Sequence, residues 1–282
     1  MKPEVTVELA GGKRLQFETG RMAKQASGAA LVTQGETVVL STAVASPDPK
    51  EGIDFFPLTV DYREYTYAGG RIPGGFIKRE GRPHDHEILA ARVIDRSIRP
   101  LFPEGFKNEI QVYIYVVSAD QENDADVLAL VAASFALNAS RIPFMGPIAA
   151  VRVGRVQDNW VLNPTFQQLE YSDMDLVVAG SDDSIVMVEG GALQVSEDDV
   201  VSALEVAGGA HRCPIIGMHT IEHSLHGGRD LGRKPKDGQA SRRGPKSAFG
   251  MIPHPKAQIG GLRRQTDTLL ALKPTQVFFF SL

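Results

Sequence analysis

Apolar and polar residues alternate with a period of two through "VTVELA" (5–10) and "RLQFET" (14–19), on either side of Gly11–Gly12. That pattern predicts a hairpin, because successive strand side chains face opposite ways and glycine accommodates the turn. "AALVTQGETVVLSTAVA" (29–45) repeats it around Gln34–Gly35, and "FFPLTVDYREY" (55–65) predicts a further strand with an aromatic face. Glycines at 69, 70, 74 and 75 then mark the next segment as a loop. In "HDHEILAARVIDRSIRPLF" (84–102) the period lengthens to that of a helix, with Ile88, Ala91, Val93–Ile94 and Ile98 as the apolar stripe and Pro100 as the stop. "EIQVYIYVVSA" (109–119) predicts a strand, and the largely apolar "DADVLALVAASFALNAS" (124–140) a helix in the core. Two hairpins follow, 147–164 turning at Asp158–Asn159 and 174–192 turning between Ser181 and Ser184. "SEDD" at Ser196 then opens a last helix in the manner of a capping box. This order predicts an α+β fold built on mixed sheet.

The predicted loop and the helix after it gather Arg71, Lys78, Arg79, Arg82, Arg92, Arg96 and Arg99. In "GGFIKREGRP" (74–83) the cations stand directly beside Phe76 and Ile77. Guanidinium groups fork onto phosphate oxygens and aromatic faces stack on unpaired bases, so RNA is one partner such a segment fits. A solvated helix face pairing with Asp85, Glu87 and Asp95 is the other reading, and composition alone favours it over RNA. "HDHE" (84–87) reads as a helix N-terminus rather than a metal site. "HTIEH" (219–223) matches the H-x-x-E-H pattern of a zinc peptidase, whose chemistry needs a third, acidic ligand further along. No Glu follows Glu222, and Asp230, Asp237 and Asp267 lie in Gly/Pro/Arg-rich surroundings, so zinc peptidase is a distant alternative and no metal ligand is assigned. The phosphate loop, the dinucleotide glycine motif and the serine-hydrolase elbow do not occur.

Charge divides the chain. Residues 1–205 hold 18 Lys+Arg against 30 Asp+Glu, whereas 206–282 hold 12 against 4, together with five of the seven histidines and 17 Gly or Pro. The first part is expected as the folded unit and 206–282 as a Gly/Pro/Arg/His-rich tail, disordered or out of frame. One cysteine, Cys213, excludes a disulfide framework and fits a reducing compartment. With no run near the length of a membrane span and no secretory h-region, a cytoplasmic, non-membrane protein is expected.

The stretch "DFFPLTVDYREYTYAGGRIPGGFIKREGRP", then "EILAARVIDRSIRPLFPEGF", resembles the bacterial polynucleotide phosphorylase family, and "IPFMGPIAAVRVG", "VLNPT" and "DLVVAG" continue the match. The resemblance runs from about residue 3 to Glu205 and is specific to the first of that family's two RNase PH-like core domains. It implies an RNase PH-like fold of the ribosomal protein S5 domain 2-like kind: mixed sheet with packed helices, here followed by a largely irregular tail. It further implies phosphate-dependent 3′→5′ degradation of single-stranded RNA to nucleoside diphosphates, with inorganic phosphate as co-substrate, Mg2+ assistance, a homotrimer and contact with RNA-degradation machinery.

By position, "FIKR" (Phe76, Ile77, Lys78, Arg79) takes the place of the family's channel-neck loop, with Ile77 replacing an aromatic and Lys78 an arginine. Arg82, Arg96 and Arg99 join it as RNA-binding residues, Arg82 and Arg99 at basic positions of the family. The family's phosphate-binding serines and metal-binding aspartates lie mainly in its second core, so no catalytic residue is expected in this chain. A catalytically inactive RNA-binding or assembly module is the alternative function. After "SALE" the family's amphipathic helical domain is not continued, and the abrupt change to Arg, Gly, His and Pro is expected to reflect a frameshifted or truncated gene.

Overall fold

The computed structural model describes residues 4–226 except 10, 11, 50, 51 and 183. Its first six strands are β1 (Glu4–Glu8), β2 (Arg14–Thr19), β3 (Gly28–Gln34), β4 (Thr37–Pro49), β5 (Leu58–Glu64) and β6 (Asn108–Ser118). They form one sheet in the order β1-β2-β3-β4-β6-β5. Every pair is antiparallel except β5 with β6. A parallel pair needs a crossover, and the chain supplies it through residues 65–107, which include helix α1 (Asp85–Ile98). The predicted basic loop is therefore an excursion within this crossover, leaving the C-terminal end of β5.

Helix α2 (Ala125–Asn138) is buried from Val127 through Leu137, as its continuous apolar sequence requires. One of its faces packs on β3 and β4 and another reaches β7 (Ala149–Val156). Strand β7 belongs to a second, antiparallel sheet ordered β10-β9-β7-β8, with β8 at Asn159–Leu162, β9 at Met174–Gly180 and β10 at Ile185–Ala192. A short helix α3 (Phe166–Glu170) links β8 to β9. Close packing of α2 explains Gly28: a Cβ there would stand 2.1 Å from the Ala136 carbonyl oxygen. Phe17 and Phe135 meet edge to face at 5.4 Å in the same core.

The β7–β8 turn falls on Gln157–Asp158, one residue before the expected place, with both residues at positive φ, as a tight two-residue hairpin demands. The α1 stripe also differs from its sequence pattern. Ile88 is exposed and Glu87 is buried, its carboxylate accepting from the backbone N–H groups of His84 (2.5 Å) and Glu64 (2.8 Å). A helix start buried beside β5 needs those donors satisfied, and this overrides hydropathy.

The largest departure concerns residues 206–226, expected as irregular tail. Helix α4 (Glu197–Ala210), capped by Ser196 Oγ accepting from Asp199 N, continues to Ala210, and α5 occupies Arg212–His226. Pro214 sits in the first turn of α5, where a missing N–H costs nothing. Ile215 and Met218, three residues apart, are buried in the main core, and Gly217 lies against Val7 and Phe17. The local spacing of apolar residues, not the Gly and Pro content, decides the structure here. The expectation for 227–282 lies outside the described residues. Among the described residues no helix is long and apolar enough to cross a membrane.

Candidate nucleic-acid interface

Strand β5 ends at Glu64, and Thr66–Gly69 make one 3-10 turn closed by Gly70 at φ +69°. The chain then leaves the body of the protein. Arg71 N–H donates to the Thr66 carbonyl at 3.1 Å, which holds the outgoing leg. On the returning leg Glu80 Oε1 accepts from Thr66 N–H at 2.9 Å and from its hydroxyl at 2.7 Å. Between these anchors the backbone reverses at Gly75 (φ +76°) and Lys78 (φ +55°). Glycine takes such a conformation freely; lysine does so at a cost, which marks the tip as a shaped turn.

The tip presents apolar surface to water. Phe76 is 102% exposed and Ile77 74%. Lys78, Arg79 and Arg82 follow them in the same exposed loop, and among the described residues none of the three has an ion-pair or side-chain hydrogen-bond partner. Three uncompensated cations around an exposed aromatic can grip a chain of phosphates and stack one base. Five of the seven residues singled out from sequence are thus brought together.

The other two are not. Arg96 Nη1 donates to Glu189 at 3.0 Å and ties α1 to β10. Arg99 lies in the 3-10 turn after α1, its Nε and Nη2 forked on Asp95 at 3.0 and 2.6 Å. The same guanidinium donates to the carbonyls of Phe56 and Leu58 at 3.0 and 3.2 Å and lies over the Phe56 ring. Four of its five donors hold the entry of β5 against α1. Both arginines bind the fold itself rather than stand free for a ligand. Of the helical row Arg92, Arg96 and Arg99, Arg92 alone is exposed.

The structure also assembles a charged site that sequence reasoning missed. Arg152, on β7, points at the start of α2 and donates to Asp124 (2.6 Å) and Asp126 (2.7 Å), with Asp175 of β9 at 3.4 Å. Burial pushes the Asp126 carboxyl up to about 7 despite the opposing pull of Arg152. Burial raises Asp175 too, again against Arg152. The available signal was a lone arginine inside the apolar "AAVRVG" and the paired aspartates of "NDAD". These three carboxylates do not fit a divalent cation, because the Arg152 guanidinium already fills the position between them. Beside this cluster Lys13 Nζ, its pKa lowered by burial, donates to Asn163 O at 2.6 Å. His219 of "HTIEH" lies on α5 with Nε2 4.0 Å from Asp182. Among the described residues no cluster of His, Cys, Asp or Glu could hold a metal.

Comparison with known proteins places this geometry. Residues 11–143 match the 3′ exoribonuclease family, domain 1, and residues 146–210 the same family's domain 2. The polyribonucleotide nucleotidyltransferase of Gemmatimonas aurantiaca is 72% identical over 207 residues, covering 73% of this chain and 28% of that protein. That of Acidobacterium capsulatum is 66% identical over 205 residues, covering 73% and 25%. The chain thus spans about a quarter of the length of the curated relatives it matches. In three dimensions the chain is similar to the Archaeoglobus fulgidus exosome with RNA bound to the active site, with TM-score 0.56 at 20% identity over 70% of this chain and 85% of the other. At that identity the likeness is one of fold.

Proposed function

The chain belongs to the 3′ exoribonuclease family, and from that premise we propose that it is the first-core portion of a bacterial polynucleotide phosphorylase. In this reading the whole enzyme degrades single-stranded RNA from its 3′ end, inorganic phosphate attacking the terminal phosphodiester and releasing a nucleoside diphosphate. This chain supplies RNA-binding surface at a channel formed by a cytoplasmic homotrimer. The observation that carries the reading is the loop tip, where Phe76 and Ile77 face water and Lys78, Arg79 and Arg82 lack partners among the described residues. Neutral surfaces gain nothing from exposing such apolar area, and a polyanion that is both charged and stackable uses both features.

Among the described residues no group of His, Cys, Asp or Glu could hold a metal, and the carboxylates around Arg152 are engaged by its guanidinium. Catalytic groups and Mg2+ are therefore assigned to the portion of the longer relatives that this chain does not span. The purified chain tests both parts. It should bind labelled oligoadenylate with affinity that falls as salt rises, and should release no nucleoside diphosphate from poly(A) plus phosphate. Salt-independent binding would remove the RNA-gripping role. Phosphate-dependent diphosphate release would overturn the placement of catalysis elsewhere.

A further inference from the structure

We propose that Thr66 and Glu80 are positioning residues that latch the basic loop into the shape in which it meets RNA, an inference that rests on the RNA-gripping role proposed above. Glu80 is the one carboxylate within residues 71–83, and simple electrostatics makes it a liability beside Arg79 and Arg82. The structure shows what it does. It forms no ion pair with either arginine and instead puts both carboxylate oxygens on Thr66, Oε1 at 2.9 Å from N and 2.7 Å from Oγ1, and Oε2 at 2.9 Å from Oγ1. Thr66 also accepts the Arg71 amide at 3.1 Å through its carbonyl. One residue thereby holds both ends of the excursion, closing residues 71–80 as an Ω-loop whose feet meet at the end of β5.

Closure matters because, among the described residues, no side-chain bond orders the tip. Residues 74–83 are exposed throughout, and among the described residues Phe76, Lys78, Arg79 and Arg82 make no side-chain hydrogen bond, ion pair or ring contact that would fix their positions. A loop ordered before binding does not lose that freedom on binding, so a latch at its feet raises affinity without touching the ligand. The carboxylate suits the task better than a neutral acceptor, since hydrogen bonds to a charged group are the stronger kind.

Charge and positioning make opposite predictions, which decides the question. If Glu80 acted only through its charge, Glu80→Ala and Glu80→Gln would both tighten RNA binding, and Thr66→Val would change nothing. With the latch, Glu80→Ala weakens binding although it removes a negative charge from a basic loop. Thr66→Val weakens it with net charge unchanged. Glu80→Gln, which keeps an acceptor oxygen, and Thr66→Ser, which keeps the hydroxyl, bind at least as well as the parent. The loss is expected at about three- to tenfold, the scale of one or two exposed hydrogen bonds.

The measurement is anisotropy of labelled oligoadenylate on the full chain, paired with hydrogen exchange of residues 71–82 and a melting curve. Thr66→Val should speed exchange in the loop without moving the global melting point, and Thr66→Ser should restore it. Lys78→Ala/Arg79→Ala serves as the reference. If that double variant weakens binding while Thr66→Val and Glu80→Ala do not, or if loop exchange is unchanged, the latch is refuted and the RNA role stands. If the double variant binds as the parent does, the RNA role falls and its latch with it, whatever the exchange shows.

Discussion

Replacing Lys78 and Arg79 together by alanine isolates the electrostatic part of the interface. Neither side chain has an internal partner among the described residues, so their removal should leave the fold's stability within about 0.5 kcal/mol, as for other exposed substitutions. Each is free to neutralise one phosphate. For single strands the logarithm of affinity falls with the logarithm of salt by about 0.7 per phosphate contact, so losing two contacts should flatten the slope by about 1.4. Between about 50 and 200 mM salt, that makes the double variant roughly sevenfold less salt-sensitive than the parent. Anisotropy titrations of labelled oligoadenylate at four or more salt concentrations read this slope directly. Arg99→Ala should behave in the opposite way. Four donors leave the Asp95 carboxylate and the Phe56 and Leu58 carbonyls, so stability falls by about 1–2 kcal/mol after discounting for a half-exposed side chain, while the slope stays. A slope unchanged by the double variant, or flattened by Arg99→Ala, would refute this division between free and engaged cations.

Arg152→Met should cost about 3–5 kcal/mol in chemical denaturation, because it strands three clustered carboxylates at the joint between α2 and the second sheet. Asp126, raised to about 7 by burial, binds a proton more readily folded than unfolded, so its contribution is present in full below about pH 4 and is lost as pH rises through about 7. Stability from this group should therefore fall from about pH 4 to about pH 7, and Asp126→Asn should flatten that part of the profile. Gly28→Ala forces a methyl to within 2.1 Å of the Ala136 carbonyl and should lower the melting point on the scale of an overpacked core, about 1–3 kcal/mol.

Much of this protein is legible in its sequence because period and turn chemistry are local. The alternation in 5–19 and 29–45, the unbroken apolar run of 124–140 and the glycines at 69–75 fix strands, core helix and loop without reference to distant residues. The basic loop belongs to the same class: exposed and close in sequence, Phe76 to Arg82 need no folded partner to stand together. Arg96 and Arg99 could not be judged this way, since their partners, Glu189 and the carbonyls of Phe56 and Leu58, come from elements brought near by the β5–β6 crossover. The same holds for Glu87, whose burial follows from the docking of α1 on β5, and for α5, whose Ile215 and Met218 look isolated until the helix docks on β1 and β2 with Gly217 against Val7 and Phe17. Arg152 states the reason most plainly. Its charge was visible as an oddity in a strand, but whether an arginine is free, clamped or encircled depends on which carboxylates lie within ion-pair distance, and only long-range packing brings Asp124, Asp126 and Asp175 that close.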